Sequence, residues 1–579
     1  MRRKRNRLRG SGAESPAGGF DPLLPQRRQR TVVLLAHASQ RQALAPWLSY
    51  FARDDVHVSA VEEAPEWDLV GSGATFHPTP NASKLNSWLK RVGAVDVMVV
   101  LLPATGLPSG LDSPLELWER FFRHLRRRGA FVVDRRVLGD PLAARELVAL
   151  LSVMAAADDP QELRTLKRRD AELARATGSV AVSRDLIVAT KRQQHFLKVK
   201  ESNAVSLLSV REPDLQLREI AKRAPGSFTS RATVVSHGTA EPLAGMPTEM
   251  EYPALALRHY EGRVALAGAT LMYAGHSVLP DSFRWHLTDN PGNPRLKSVS
   301  ATFGVIESAY RPRRALEGNF YQLDCAYPGH FGHITTEVVS RLWGWQEAKE
   351  LMPDLKVLFH ARPQSAKPPS LELGLFRAYG IAEEDIVWTR DPVWVDSVVS
   401  ATPMWHNAEP HYVHPDIAAT WRRLSDGLAT GHVAAADLAE RIFVSRSEGA
   451  KHRECRNIRE VESVFRARGY QIVYPERLPL SEQAAVFGAA RIIAGFGGSA
   501  LFNVMHARRL ETMIILNHEA YTARNEHLFT SVIGADVHYF WSAPDIPHGD
   551  TWSEAAFYSD WEFDFERNGA ELAGLLDRL

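Results

Sequence analysis

The sequence predicts an α/β chain built from several Rossmann-like units, and three observations lead to that class. Short β-rich runs alternate with amphipathic helical stretches between residues 31 and 140. The same texture returns in two later blocks, from Asn319 to about Pro403 and from Arg441 to about Trp541. Within the second block the strand Arg491-Ile-Ile-Ala494 runs into a glycine-rich turn, Gly495-Phe-Gly-Gly-Ser-Ala-Leu-Phe-Asn503, the arrangement that presents ligand-binding backbone at the edge of open sheets.

Length and composition set the frame. With 579 residues, 45% hydrophobic and 24% charged, the chain can bury several cores and divides into about three or four domains. The 69 basic residues nearly cancel the 68 acidic ones, which excludes a surface committed as a whole to nucleic acid or membrane. Basic character is local, in Arg2, Arg3, Lys4, Arg5, Arg7 and Arg9, followed by a Ser/Ala/Gly/Pro stretch and Arg27, Arg28 and Arg30. Residues 1–30 read as a disordered basic tail: either a solvated leader or a peripheral membrane contact, at about 1 kcal/mol per basic side chain near anionic lipid. The first apolar run, Thr31–Ala36, is too short for a signal peptide, and no run approaches the ~20 apolar residues of a membrane span. Cys325 and Cys455 stand far apart, outside disulfide or zinc spacing. A cytoplasmic location, at the inner face of the membrane if the tail binds lipid, is the expectation.

In chain order, residues 31–140 form a Rossmann-like domain with strands at Thr31–Ala36, Val95–Leu102 and Ala130–Asp134 and a helix over Leu115–Leu125. Its late part looks like the sheet of a class I methyltransferase. The turn after the first strand, His37-Ala-Ser-Gln-Arg41, lacks the glycines that let backbone approach a dinucleotide or S-adenosylmethionine, so the domain reads as a scaffold. Residues 141–234 read as a helical and extended connector, broken at Asp159-Pro160 and Gly178. Residues 235–432 hold a β-rich segment and a first α/β lobe, 433–545 a second lobe, and 546–579 a C-terminal segment. The stretch His406–His432 joins the two lobes.

The chemistry concentrates in the two lobes. Arg441-Ile-Phe-Val-Ser-Arg446 is a buried-type strand that delivers Ser445 and Arg446 at its carboxyl edge, where open sheets bind ligands. Lys451, Arg453, Arg456 and Arg459 follow, then a helix, a strand closing on Pro475-Glu476, and a helix carrying Gln483. The glycine turn offers free amides and a helix N-terminus suited to a diphosphate, and Arg446 and Arg453 add charge. The alternatives are a turn that is merely tightly packed and an ordinary interface arginine. In the first lobe His333 and Glu337 stand four apart, and Arg341 continues the same helical face. His330, Trp343 and Trp345 are either cleft-lining or core.

In that order the second lobe resembles the family 61 glycosyltransferases: Ser445-Arg446, Arg453, Asn457 with Glu460, Pro475-Glu476, Gln483, and Gly497-Gly-Ser-Ala-Leu-Phe-Asn503 match the family's succession of motifs. The His333/Glu337 pair, followed by Arg341-Leu342, matches the family's acceptor-side motif. The resemblance implies a GT-B-like pair of Rossmann-like lobes and an inverting transfer from a nucleoside-diphosphate sugar, such as a UDP-sugar. It implies no metal or other cofactor. Arg446, Arg453, Glu476, Gln483, Gly495, Gly497, Gly498, Ser499 and Asn503 are then expected at the nucleotide sugar. Glu337 is the first choice as base, with His333 orienting a substrate or itself the base, and His330 and Arg341 lie on the acceptor side. One departure stands out: the turn's usual histidine is Gly497, so the leaving diphosphate relies on backbone amides and arginines. The expected acceptor is a glycan or lipid-linked glycan in cell-surface polysaccharide synthesis, with no nucleic acid involved. Two rivals stay open: a bifunctional or methyltransferase-like glycan-modifying enzyme, and an inactive sugar-binding scaffold.

Overall fold

Strands covered on both faces read as continuous apolar runs rather than alternating ones, and in the computed structural model Thr31–Ala36 and Val95–Leu101 are central strands with almost every residue buried. The structure describes residues 16–61, 73–157, 159–238, 246–361, 370–429, 438–447 and 452–579. The basic residues 2–9 and Lys451 lie outside the described residues. The chain splits into two compact units, one of residues 1–215, 274–279 and 296–309, the other of residues 216–273, 280–295 and 310–579.

The first unit is built on β1 (Thr31–Ala36), β2 (Asp55–Ala60), β3 (Thr75–Pro78), β4 (Val95–Leu101), β5 (Leu125–Asp134), β6 (Thr177–Val182) and β7 (Leu186–Lys191), in the order β3-β2-β1-β4-β5-β7-β6. All pair in parallel as far as β5, whereas β7 runs antiparallel to both its neighbours. The sheet therefore continues past residue 140, completed by a hairpin from the stretch read as a connector. Residues 16–30 also depart from the expected tail. Gly18–Leu23 forms a 3-10 turn, Ala17 and Leu24 are buried in the core, and Arg30 binds Asp54 through its backbone N–H, Nε and Nη2. At the reversal between β1 and β4, His37 packs against Gly106, where an added Cβ would sit 3.0 Å from the imidazole. A polar hollow of about 760 Å3 in this unit is lined by Arg120, Arg169, Glu116 and Glu119, whose charges pair with one another.

The second unit holds both lobes. In the first lobe Leu255–Leu266 pairs antiparallel with Gln216–Arg223 and Val393–Ala401; Phe320–Gln322, Lys356–His360 and Ile386–Thr389 extend the sheet in parallel. The second lobe is a six-stranded, all-parallel sheet in the order Gln471–Val473, Arg441–Val444, Ile492–Phe496, Thr512–His518, Ala535–Ser542 and Ala232–His237. Its last strand spans the boundary between the connector and the β-rich segment. One hydrophobic core runs through both lobes, joining Leu257, Tyr321, Ile334 and Leu342 of the first to Val444, Ile493 and Leu501 of the second. Among the described residues no helix is long and apolar enough to cross a membrane.

The helical segment after Gly329 is not regular. Phe331–His333 is α-helical, Ile334–Val338 is a π-turn and Val339–Gly344 is 3-10. Wider and then narrower turns shift the phase of the side chains, so the stripe expected for His333, Glu337 and Arg341 breaks after Glu337.

Helices Ser370–Tyr379 and Ile417–Leu428 cross closely at Gly427, where an added Cβ would sit 1.9 Å from the Ala378 carbonyl oxygen. Backbone cannot yield there as a side chain can. Gly427→Ala is expected to cost about 1–3 kcal/mol of stability through overpacking, read as a lowered denaturant midpoint, and an unchanged midpoint would refute the close packing.

Candidate active site

In the second lobe the chain starts at Arg441–Val444, steps to Gln471–Val473 on one side and then to Ile492–Phe496 on the other. The carboxyl ends of the first and third strands thus flank the point where strand order reverses, the general ligand crevice of open α/β sheets. A cavity of about 440 Å3 opens there, lined by Arg446 and Ser447 after the first strand, Glu476 after the second, and Ser499, Ala500 and Asn503 after the third, with Arg453, Gln483 and Phe331 completing it. That volume lies in the range of small-molecule sites.

Each predicted turn residue has a definite place. Gly495 is a packing glycine within its strand: a Cβ there would meet the Val444 carbonyl oxygen at 2.7 Å. At Gly497 a Cβ would sit 2.2 Å from Asn517 Nδ2, and at Gly498, with φ of 138°, 2.4 Å from Arg446 Nη2. The Gly497 amide donates to the Leu516 carbonyl at 3.0 Å and the Gly498 amide to Glu526 Oε1 at 2.6 Å. Neither amide is left for a ligand, contrary to the expectation from sequence. Ser499 and Ala500, the first residues of the following 3-10 helix, line the cavity, and first-turn amides have no acceptor within their own helix. Gln483 is tied by Nε2 to the Leu478 carbonyl, and Glu476 accepts from the Ser447 amide and hydroxyl.

Two guanidinium groups meet at this turn. Arg446 donates to the carbonyls of Gly497 and, at 3.4 Å, Arg453. Burial first, and then the neighbouring Arg453, bring its pKa down to about 10, so it remains cationic at neutral pH. Arg453 has left-handed backbone, φ 56°, and its guanidinium lies 4.4 Å from the Tyr521 ring centroid. Its Nε and Nη1 are buried without a hydrogen-bond partner, as is Oδ1 of the buried Asn503. Orphaned polar atoms of this kind are costly, and on a cavity wall they mark places a ligand atom satisfies. Glu526, buried beneath the turn, has its pKa raised by burial against the opposing pull of the Gly498 amide and the two arginines.

On the first lobe, Gly332 packs onto the turn, an added Cβ lying 3.0 Å from Ser499 Cβ, and Phe331 reaches the cavity wall. Next in sequence, His333 is partly exposed. Its Nδ1 lies 2.5 Å from Glu337 Oε1, and that oxygen also takes an ion pair from Arg284 Nε at 3.2 Å. Glu337 Oε2 accepts from the Ala326 amide at 2.8 Å. Burial alone would raise the Glu337 pKa, but Arg284, His333 and the Ala326 amide together outweigh it and hold it at about 2. An ionised carboxylate only accepts, so Nδ1 carries the ring proton and points it at Glu337. Arg284 Nη1, 3.3 Å from the same Nδ1, competes as a second donor, and the shorter charge-assisted contact to Glu337 prevails.

Residues 331–514 match the family model described as Glycosyltransferase 61. They form a family 61 glycosyltransferase region. No curated protein matches the chain. Among solved structures, the chain is similar to the MycE methyltransferase from the mycinamycin biosynthetic pathway in three crystal structures. The form 1 complex with Mg and SAH is 15% identical over 30% of this chain and 48% of that one, with a TM-score of 0.22. The complex that also holds mycinamycin VI is 16% identical over 31% and 46%, also at 0.22, and form 2 is 15% identical over 28% and 45%, at 0.21. The chain therefore spans less than half of those solved chains, and at such scores the likeness carries no argument.

Several residues of the glycosyltransferase region stand differently from the sequence reading. Arg341 does not face the acceptor side: it is buried, donating to the carbonyls of Asp281 and Asp324. Glu337 lies behind His333 and outside the nucleotide-side cavity. Trp343 and Trp345 are core. His330 is exposed, its ring edge-on to His333 at 4.9 Å. Arg284, Asn517, Tyr521 and Glu526 were not legible as site residues, because each reaches the site from a distant stretch with no motif of its own. His518, ending its strand, escaped in the same way; both its ring nitrogens lack partners, and burial together with Arg453 and Arg446 lowers its pKa to about 3.

The depressed Glu337 pKa makes a stability prediction. A carboxyl whose folded value lies below its unfolded value of about 4.3 stabilises the fold above that pH and loses the contribution as pH falls toward 2, in all about 3 kcal/mol. The stability gap between the native chain and Glu337→Gln should shrink across that window in chemical denaturation, and a gap independent of pH would contradict the ion pair with Arg284.

Proposed function

We propose that the region transfers a sugar from a nucleoside-diphosphate sugar, a UDP-sugar foremost, to a hydroxyl of a glycan acceptor with inversion at the anomeric carbon. The observation that carries this reading is the set of buried, unpartnered polar atoms of Arg453 and Asn503 on the cavity at the sheet's reversal point, beside the cationic Arg446. A diphosphate supplies the acceptor oxygens that Arg453 lacks, and a sugar or base N–H or O–H supplies the donor that Asn503 Oδ1 lacks. Like-charge repulsion between the two arginines falls when the anion enters.

In the transfer the acceptor oxygen forms its bond to the anomeric carbon as the bond from that carbon to the diphosphate oxygen breaks. The hydroxyl proton passes to His333 Nε2. His333 is the better base of the pair: Glu337 has both oxygens engaged and a pKa held at about 2, so it is a weak base, whereas with Nδ1–H directed at Glu337 the other ring nitrogen is left to take a proton. Glu337 thus positions the ring and stabilises the imidazolium, with Arg284 behind it. The negative charge that develops on the departing diphosphate is met by Arg446, Arg453 and the first-turn amides of Ser499 and Ala500. Guanidinium groups rather than a divalent cation carry that work, because the nearby carboxylates Glu476 and Glu526 are bound to Ser447 and to the Gly498 amide. A glycan or lipid-linked glycan of a cell-surface polysaccharide, assembled at the cytoplasmic side of a membrane, is the acceptor class the family resemblance supports.

Uridine diphosphate sugars should stabilise the protein by about 2.7 kcal/mol at a hundredfold excess over Kd, seen as a raised Tm that persists in a chelator. Arg453→Met should abolish that shift. Should no nucleotide sugar shift the native chain, the donor site is wrong. His333→Ala should lower kcat by about 10²–10⁴-fold with the nucleotide shift intact, and wild-type turnover in that variant would remove His333 from the chemistry.

A further inference from the structure

Tyr and Trp, with an apolar body and a polar handle, are enriched where one face meets a partner. Among the described residues four aromatic side chains are exposed: Trp285, Tyr327, Trp552 and Tyr558. Two of them flank the His333 dyad. Tyr327, 56% exposed, has its ring centroid 4.7 Å from that of His333. Trp285, 41% exposed, reaches the pair through Arg284: the guanidinium that holds Glu337 sits 5.3 Å from the indole centroid.

The Trp285 ring is held rather than loose. Trp285 Nε1 donates to Asn407 Oδ1 at 3.0 Å, and Asn407 Nδ2 donates to Asn525 Oδ1 at 2.9 Å. Asn525 begins the helix whose next residue, Glu526, grips the Gly498 amide beneath the nucleotide-side turn. One polar chain therefore ties the Trp285 plane to the turn that lines the cavity. Rigid aromatics with one wet face give large contact area at small entropic cost, which suits a ligand that is apolar on its ring faces and polar at its rim.

We infer that Tyr327 and Trp285 form the acceptor subsite, a pair of platforms that takes the apolar face of a sugar ring in the acceptor glycan and delivers its hydroxyl to His333. The inference rests on the proposed transfer and names the surface that selects its acceptor. The chemistry it implies is a neutral or weakly charged pyranose or furanose unit. Arg341, the acceptor-side arginine expected from sequence, is buried and unavailable, so an arginine clamp for an acidic sugar is not supplied at that position.

The test uses the full-length chain and its Tyr327→Ala, Tyr327→Phe, Trp285→Ala and Trp285→Phe variants. Binding to an array of neutral, acidic and lipid-linked glycans is measured in the presence of UDP, with UDP-sugar hydrolysis and the UDP-induced Tm shift followed in parallel. The expected result is that both alanine variants lose at least tenfold in glycan binding and in kcat/KM for the glycans so identified. UDP-sugar hydrolysis and the UDP shift stay within twofold of the native chain, and the phenylalanine variants keep most glycan binding. Native-like glycan binding in both alanine variants, a parallel fall in hydrolysis, or a native chain that captures no glycan would overturn the subsite. If UDP and UDP-sugars fail to shift the native chain at all, the donor reading falls and the subsite with it, an outcome distinct from an intact shift with unaltered glycan binding.

Discussion

The turn at Gly497 and Gly498 is held between a buried guanidinium and a buried carboxyl group, and the geometry of the whole site depends on that grip. Arg446 pulls on the Gly497 carbonyl from one side while Glu526 accepts the Gly498 amide from the other. At Gly498 the φ of 138° itself disfavours a side chain, and at Gly497 a Cβ would displace the Asn517 amide. The turn is thereby fixed where Ser499, Ala500 and Asn503 meet the cavity, and where Gly332 of the other lobe packs against it.

That contact makes two lobes into one site. The shared core runs from Ile334 and Leu342 to Val444 and Leu501, so the short helical turn bearing His333 is seated on the same packing that seats the nucleotide-side turn. The proposed proton transfer to His333 would require such rigid support, since small misplacements cost large factors in rate. The π-turn over Ile334–Val338 brings Glu337 to the His333 ring and then turns Arg341 inward. Local helix irregularities of this sort recur at functional positions.

The absent turn histidine gains a physical account. Asn517 packs against Gly497 where a side chain would start, and cationic character at the turn comes from Arg446 and Arg453. In the proposed transfer the anion's binding energy comes from guanidinium groups and helix-start amides rather than from a titrating ring.

Much was legible in the sequence. The continuous apolar runs fixed the central strands of each sheet, since only strands covered on both faces carry them; the order of Ser445-Arg446, Pro475-Glu476, Gln483 and the glycine turn located the cavity, because these residues end successive parallel strands or open the helices that follow them. Other features needed the tertiary structure. The hairpin at residues 177–191 joins the first sheet across a gap in sequence, and residues 16–30 are ordered by contacts with Asp54 and the core that composition cannot reveal. The state of Glu337 was open as well: four-residue spacing makes it a neighbour of His333, but only Arg284, His333 and the Ala326 amide, set against its burial, keep it ionised. Periodicity describes a regular helix, so it placed Arg341 outward until the backbone departed from regularity. Local pattern determines which groups exist and near which edge; the charge, exposure and aim of each depend on partners from other stretches of the chain, which no single stretch of sequence encodes.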